Sequence, residues 1–286
     1  MRTWVMIVAA GLSGICLAAG AEVPGPGFLL EQAGFATPES VLYDPAADQY
    51  LVANINGGPL EKDDNGFVSR VSPAGEIVAL KWIDGASAAT VLHAPKGMAL
   101  SGDRLYIADI DSVRSFARDT GAPAGAIAVS GARFLNDVAA DSSGNIYVSD
   151  NMTGAIHRIT PASEVVRLVP GASLGSPNGI AIQGTTLYCA DMLGRRILAI
   201  ASSGEPQSRW TLPQAGLDGL VMLGDGSALV SSWQGKAVYR CFADGSVRAI
   251  MTGIEAPADI GFDSKRGLVL IPHFMGNRIE ARPLPE

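Results

Sequence analysis

An all-β fold, a six-bladed β-propeller closed by an N-terminal strand, is what the sequence predicts. The first observation is a chain made of strands and turns. It holds 34 Gly, 17 Pro and 17% charged residues, with no amphipathic stretch that keeps helical spacing over three turns. The second is a repeat. One opening segment recurs six times, as PESVLYD from Pro38, PKGMALS from Pro95, LNDVAAD from Leu135, PNGIAIQ from Pro177, LDGLVML from Leu217 and PADIGFD from Pro257. The second residues of these segments, Glu39, Lys96, Asn136, Asn178, Asp218 and Ala258, are spaced by 57, 40, 42, 40 and 40 residues. The third is an imbalance at the ends, where the last repeat lacks one strand and the N-terminal region offers a spare.

Each opening segment is an apolar strand. A turn and a second apolar strand with a polar end follow: YLVANI, RLYIADI, NIYVSD, TLYCAD, ALVSSW and LVLIPH. Then come an alternating third strand, such as GFVSRV, AIHRIT or AVYRCF, and a fourth, such as EIVALKWI, EVVRLVPG or SVRAIMTG. Four strands in a unit of about forty residues describe a propeller blade, because a lone four-stranded sheet leaves its faces wet until neighbours stack on it. The long first interval contains the polar insertion NGGPLEKDDNG, Asn56 to Gly66, which reads either as a lid or as an exposed loop. The sixth unit supplies only ADIGF, LVLIPH and RIEARPL before Glu286. Its fourth strand is expected from FLLEQAG, Phe28 to Gly34, which precedes the first repeat as VVRLVPG precedes the fourth. Closing the ring this way hides the open strand edges and makes residues 22–286 a single domain.

Residues 1–21 read as a signal peptide: Arg2, an apolar stretch from Trp4 to Ala19, and small residues at Ala19 and Ala21 before Glu22. The apolar stretch is short for a membrane anchor, and no later segment is long enough to span a bilayer. The chain is therefore expected to be exported, periplasmic or secreted, without stable membrane insertion after cleavage. Two cysteines then remain, Cys189 in LYCAD and Cys241 in VYRCF, either paired or buried as free thiols. A formal net charge of -7 and no basic stripe or lysine-rich run leave nothing to neutralise phosphates, so nucleic acid is not an expected partner. A small molecule or a cation is.

In a propeller the first strand of each blade lies against the central axis, so the six residues at its entrance converge on one mouth of the tunnel. The ring reads Glu39, Lys96, Asn136, Asn178, Asp218, Ala258. Asn178-Gly179 and Asp218-Gly219 are turn dipeptides, but Glu39-Ser40 and Asn136-Asp137 are not, so a shared ligand role explains more than independent turns. Two carboxylates about 5 Å apart in a partly buried tunnel repel by ~3 kcal/mol at an effective dielectric near 20. A divalent cation held by Glu39 and Asp218, with amide oxygens from Asn136 and Asn178, balances that charge. An all-oxygen set without thiolate favours Ca²⁺, with Mg²⁺, Mn²⁺ and Zn²⁺ as alternatives. Lys96 is the rival, able to pair with Glu39 or to reach over the site and hold an anionic substrate.

The turns after the second strands return to the same mouth and bring Asn54, Asn56, Asp109, Asp111, Asn151, Asp191, Trp233 and His273 toward its rim. Trp233 and His273 suit a wall against a small organic ligand. His93 and Arg133, three residues before Lys96 and Asn136, are further candidates for the pocket. GASLG, Gly171 to Gly175, satisfies the G-x-S-x-G pattern of serine hydrolases, but it falls in a loop between blades and lacks the strand before and helix after Ser173 that the device needs.

PESVLYDP, RFLNDVAAD, SPNGIAI and LDGLVML together resemble the motifs of the senescence marker protein and gluconolactonase family, the regucalcin-like six-bladed propellers. The resemblance spans essentially the whole chain after residue 21. It implies a divalent metal held by Glu39, Asn178 and Asp218, with Asn136 near metal and substrate and Arg133 on the substrate. Three features depart from the family pattern: Lys96 in the second blade, one residue more than usual in RFLND, and SDNMTG where a substrate-binding acid is expected.

The function expected is metal-dependent hydrolysis of a lactone or related ester at the tunnel mouth. Asp218 serves as ligand and proton acceptor, while Asn136, Arg133, Lys96, Trp233 and His273 meet the substrate. The alternative is a non-catalytic exported propeller that binds a small ligand or partner protein around a structural ion. A third reading, a calcium arylesterase of the paraoxonase kind, would need a histidine pair, for which only His93 and His273 are at hand.

Overall fold

Short alternating strands joined by Asp- and Gly-rich turns make sheets whose two apolar faces can be covered only by other sheets. A computed structural model describes residues 27–169, 174–201 and 204–286. The expected signal peptide, Cys16 and Ser173 lie outside the described residues. Within them, 24 strands form six four-stranded sheets arranged as the blades of a propeller. Phe28–Leu30 (β1) comes first. Blade one follows as Pro38–Asp44 (β2), Gln49–Asn54 (β3), Phe67–Val71 (β4) and Ile77–Asp84 (β5). Blade two is Pro95–Ser101 (β6), Arg104–Asp109 (β7), Ser112–Ala117 (β8) and Pro123–Ala128 (β9). Blade three is Leu135–Ala140 (β10), Ile146–Asp150 (β11), Ala155–Ile159 (β12) and Val165–Val169 (β13). Blade four is Pro177–Gln183 (β14), Thr186–Asp191 (β15), Arg196–Ile200 (β16) and Pro206–Thr211 (β17). Blade five is Leu217–Met222 (β18), Ala228–Ser232 (β19), Ala237–Cys241 (β20) and Val247–Thr252 (β21). Gly261–Asp263 (β22), Leu268–His273 (β23) and Arg278–Pro283 (β24) make up blade six.

The sixth blade takes its fourth strand from the N-terminal region, as the repeat requires: β1 pairs antiparallel with β24, Leu29 opposite Glu280. Closure is also made at the axis and at the periphery. Asp259 N donates to Glu39 O (2.8 Å) and Val41 N to Asp259 O (3.2 Å), so blades one and six share a parallel bridge. Tyr50 Oη donates to Asp263 Oδ2 (2.7 Å), and Arg266 pairs with Asp48 (2.7 Å). The bridge has a cost in regularity. PADIGFD was expected to be one strand, but Asp259 spends its backbone on blade one, and only Gly261–Asp263 remains as β22.

The core lies between blades. Leu268, Leu270 and Ile279 of blade six meet Val41, Tyr50 and Val52 of blade one. Ala139, Ile156 and Val169 of blade three meet Ile180, Leu187 and Leu198 of blade four in the same way. Each fully buried large side chain contributes roughly 1.5–3 kcal/mol, so neighbouring blades stabilise one another. Cys189 and Cys241 are free and buried in different clusters, which resolves their pairing in favour of thiols. Burial pushes the Cys241 thiol up to about 12 and raises that of Cys189 further. Among the described residues no helix is long and apolar enough to cross a membrane.

Candidate metal centre at the tunnel mouth

The inner strands are irregular where the ring residues sit. Register against the second strand slips between Pro38 and Ser40, Pro95 and Met98, Leu135 and Val138, Pro177 and Ile180, and Leu217 and Leu220. A bulge takes its residue out of the ladder and re-aims the side chain, here at Glu39, Lys96, Asn136, Asn178 and Asp218. Asn178-Gly179 is therefore no turn, since both residues lie inside β14. The glycine answers a different need. A Cβ on Gly179 would stand 2.2 Å from Asp218 O, and one on Gly219 2.2 Å from Ile260 N. Neighbouring inner strands approach this closely only where a side chain is missing.

Glu39, Lys96, Asn136, Asn178 and Asp218 line one cavity of about 130 Å³, together with Ile55, Pro59, Phe134, Met192, Trp233 and Phe274. Ala258, the sixth ring member, is buried and carries no donor atom. Four buried oxygens in this cavity have no hydrogen-bond partner: Glu39 Oε2, Asn136 Oδ1, Asn178 Oδ1 and Asp218 Oδ1. Orphaned buried acceptors are rare because each carries an uncompensated desolvation cost. Their other polar atoms are engaged at two places. Trp233 Nε1 donates to Asp218 Oδ2 (2.6 Å), and Asn178 Nδ2 points to Met192 Sδ (3.5 Å). Among the described residues no three His, Cys, Asp or Glu side chains cluster as a metal site. The oxygen set here instead mixes two carboxylates with two amides, a composition that suits a hard divalent cation.

The electrostatics agree with that fit. Burial, followed by the charges of Asp218 and Asp259, raises the Glu39 carboxyl well above its ordinary range. Burial and Asp259 push Asp218 up to about 8 against the hydrogen bond from Trp233. Burial and the neighbouring acids thus shift both carboxyls toward the protonated form, and a cation held between them would be the counter-charge that ionises them. Lys96 supplies only part of that charge: it lowers the Glu39 carboxyl, which stays raised well above its ordinary range. Its ammonium donates to Ala94 O (2.9 Å) and sits 4.8 Å from the Phe134 ring centroid. Among the ion pairs of the described residues none joins Lys96 to Glu39, and burial brings Lys96 down to about 8.

The structure places the remaining sequence candidates in three ways. Trp233 lines the cavity. Arg133 does not: it is exposed and its backbone N–H donates to Asp150 Oδ2 (2.9 Å), while its neighbour Phe134 forms the wall. His273 is also away from the lining, buried with Nε2 2.9 Å from Glu280 Oε1. It stands at the end of a second strand, where the equivalent residues of other blades tie down the loop that enters their own blade's inner strand. Asn54 accepts from Ala36 N (3.1 Å), Asp109 from Ala94 N (2.8 Å) and Asp191 from Ser176 N (3.1 Å). These polar strand ends are fastenings, not rim groups. His93 is held by the insertion, Nδ1 2.9 Å from Asp64 Oδ1, so the two histidines of the arylesterase reading are both engaged elsewhere. The insertion itself is fastened by Lys62 to Asp111 (2.6 Å) and by Asn56 Nδ2 to Asn65 O (2.9 Å), and it delivers Pro59 to the cavity wall.

Ile55, Met192 and Phe274 were not legible as site residues, yet the signal was present. They occupy, with Ile110, Asn151 and Trp233, the position one past the end of each second strand, recurring every 41 residues from Ile110 onward. This second tier stands above the oxygen ring, with the Trp233 and Phe274 ring centroids 5.1 Å apart.

The family model described as the SMP-30/gluconolactonase/LRE-like region matches residues 39–267. The chain belongs to the SMP-30/gluconolactonase/LRE-like family. The match begins at Glu39 and includes every polar ring residue of this SMP-30-like chain. The fold is similar to that of a gluconolactonase from Xanthomonas campestris, with a TM-score of 0.70 at 19% identity, covering 94% of this chain and 99% of that one. It is also similar to a streptogramin B lyase, with a TM-score of 0.67 at 14% identity, covering 89% and 97%. A virginiamycin B lyase from Staphylococcus aureus has a TM-score of 0.62 at 16% identity, covering 90% and 98%. Comparison with curated protein sequences finds no match. Members of the SMP-30/gluconolactonase family generally depend on a divalent metal, and the family points to lactonase-type chemistry.

Proposed function

We propose that this protein is a metal-dependent hydrolase that opens a lactone or related ester at the tunnel mouth, with Ca²⁺ as its ion. The observation that carries the reading is the set of four unpartnered buried oxygens, from Glu39, Asn136, Asn178 and Asp218, facing one cavity. These residues would hold the cation. When bound, it supplies Lewis-acid polarisation of a carbonyl and acidification of water.

The chain's own residues account for the rest. Trp233 Nε1 fixes Asp218 Oδ2 and leaves Oδ1 for the cation side, so the carboxylate cannot rotate away. Asp218 takes a proton from the attacking water as the water oxygen joins the carbonyl carbon. The ring C–O bond then breaks, and that proton passes to the departing oxygen. Asn136 orients the substrate oxygen, and Lys96, nearly fully buried, offers positive charge to the carboxylate product. Phe134, Met192 and Phe274 exclude bulk water from the reacting atoms.

The segment 1–21 supports export, so we assign the protein to the periplasm or the extracellular medium. A second reading, a non-catalytic ligand-binding propeller with a structural ion, draws on the exposed Arg133 and the missing acidic substrate contact. Elemental analysis of the purified protein, with a lactone and ester screen before and after chelation, separates the two. Stoichiometric metal with chelator-sensitive turnover supports the hydrolase. Metal without turnover on any substrate favours the binding protein.

A further inference from the structure

The reaction centre is polar, but everything around it is not. Of the cavity wall, Glu39, Asn136, Asn178 and Asp218 contribute the oxygen ring, and Lys96 spends one of its three N–H groups on Ala94 O. The other lining residues are Ile55, Pro59, Phe134, Met192, Trp233 and Phe274. The one polar donor among them, Trp233 Nε1, is spent on Asp218. A polyhydroxylated sugar ring buried here would find, beyond the oxygen ring, only the Asn136 amide and the two remaining Lys96 N–H groups for its several hydroxyls, and unpaired hydroxyls are penalised.

The apolar character continues outward. Leu60, Met152, Leu193 and Met275 are 44%, 52%, 73% and 73% exposed, four of the seven large apolar side chains exposed among the described residues. Each sits at the mouth by connectivity. Leu60 follows Pro59, Leu193 follows Met192 and Met275 follows Phe274, all lining residues, while Met152 follows Asn151, whose Nδ2 lies 3.6 Å from Met192 Sδ. These four come from the first-blade insertion and from blades three, four and six, so they surround the opening instead of marking one side of it. Flexible Met and Leu side chains adapt to a hydrocarbon and are poor partners for a polyol.

We infer that the substrate is a lactone or ester carrying an apolar chain, with its carbonyl at the oxygen ring, its ring or first carbons against Trp233 and Phe274, and its tail across Leu60, Met152, Leu193 and Met275. The inference rests on the hydrolase reading of the same site. A cavity of about 130 Å³ accommodates the reacting end alone, so the tail emerges at the rim.

The test uses the full-length metal-loaded protein with γ-butyrolactone, γ-octalactone, γ-dodecalactone and glucono-δ-lactone. We expect kcat/KM to rise at least tenfold from γ-butyrolactone to γ-dodecalactone and to be lowest on glucono-δ-lactone. A flat or falling series, or a preference for glucono-δ-lactone, overturns the inference. Calorimetric binding of γ-lactams bearing the same chains is measured in parallel, because lactams resist hydrolysis. Chain-dependent lactam binding without any turnover sinks the hydrolase reading and keeps the apolar site. Turnover without chain dependence does the reverse, and neither turnover nor binding overturns both. The exposed double variant L193Q/M275Q should cut the long-to-short chain ratio at least threefold, and an unchanged ratio counts against the rim.

Discussion

Two adjacent layers of the tunnel contain buried acids, and they differ in what their oxygens touch. In the outer layer Glu39 and Asp218 each keep an oxygen with no partner. One residue deeper, Asp137 accepts from Val138 N (2.7 Å) and Ile180 N (2.6 Å), and Asp259 accepts from Ser40 Oγ (2.6 Å). All four are buried, Glu39, Asp137 and Asp218 on inner strands of three blades and Asp259 just before β22. The deeper pair fills space left by small neighbours: a Cβ on Gly97 would lie 2.0 Å from Asp137 Oδ1, and one on Gly219 2.8 Å from Asp259 Oδ1. Hydrogen bonding, not acidity or burial, separates a ligand layer from a packing layer.

The largest effect should come from the outer layer. Asp218→Ala removes a ligand oxygen and the proton acceptor, and we expect lactone turnover to drop at least a thousandfold with loss of bound metal by elemental analysis. Full activity in this variant would erase the distinction between the layers. Asp137→Asn should act on stability instead. Replacing a buried acceptor of two backbone N–H groups costs about 1–3 kcal/mol, roughly 2–4 °C in Tm per kcal/mol for a chain of this size, while metal stoichiometry holds. Loss of metal without loss of stability would show that the deeper acid is a ligand after all.

The acids also make a pH signature for the metal-free protein. Burial pushes Asp259 up to about 7, and burial with the Asp259 charge pushes Asp218 up to about 8. A raised folded-state value contributes stability that is complete below the unfolded carboxylate value near 4 and is lost as pH rises through 7 to 8. Thermal melts in chelator should therefore fall between pH 5 and pH 8.5, by up to ~1.4 kcal/mol per pH unit per group. Added Ca²⁺ should flatten the slope by compensating the outer layer. A chelated protein whose Tm rises over that range would contradict the assignment. The smallest effect is at the tier above. Trp233→Phe keeps an aromatic wall, removes the donor to Asp218 and trims the wall by the pyrrole ring, so kcat should fall about tenfold with metal retained. Equal loss of kcat and of metal would make Trp233 a structural support of the site.

Much of this was legible in the chain because a propeller writes its geometry as a period. Glu39, Asn136, Asn178 and Asp218 could be set side by side from their spacing, and β1 could be assigned to blade six from a missing strand. That His273 and Arg133 stand outside the cavity lining is not legible in the chain. Polar residues near the mouth look alike in sequence, whether they face the cavity, fasten a loop as Asp109 does at Ala94, or pair with the neighbouring strand as His273 does with Glu280. The apolar tier of Ile55, Met192 and Phe274 is not legible there because single apolar residues after a strand resemble ordinary core.

By itself the sequence determined the number of blades, the way the ring closes, and which six residues stand at its entrance, since these follow from local alternation and a repeat length. Only the tertiary structure decided which oxygens stay unpartnered, that Lys96 turns to Ala94 and Phe134 and not to Glu39, and that hydrocarbon surrounds the polar ring. The physical reason is that the cavity is walled by residues of several blades, dozens of residues apart, so which atoms face it and which find a partner is settled only when those blades are in contact.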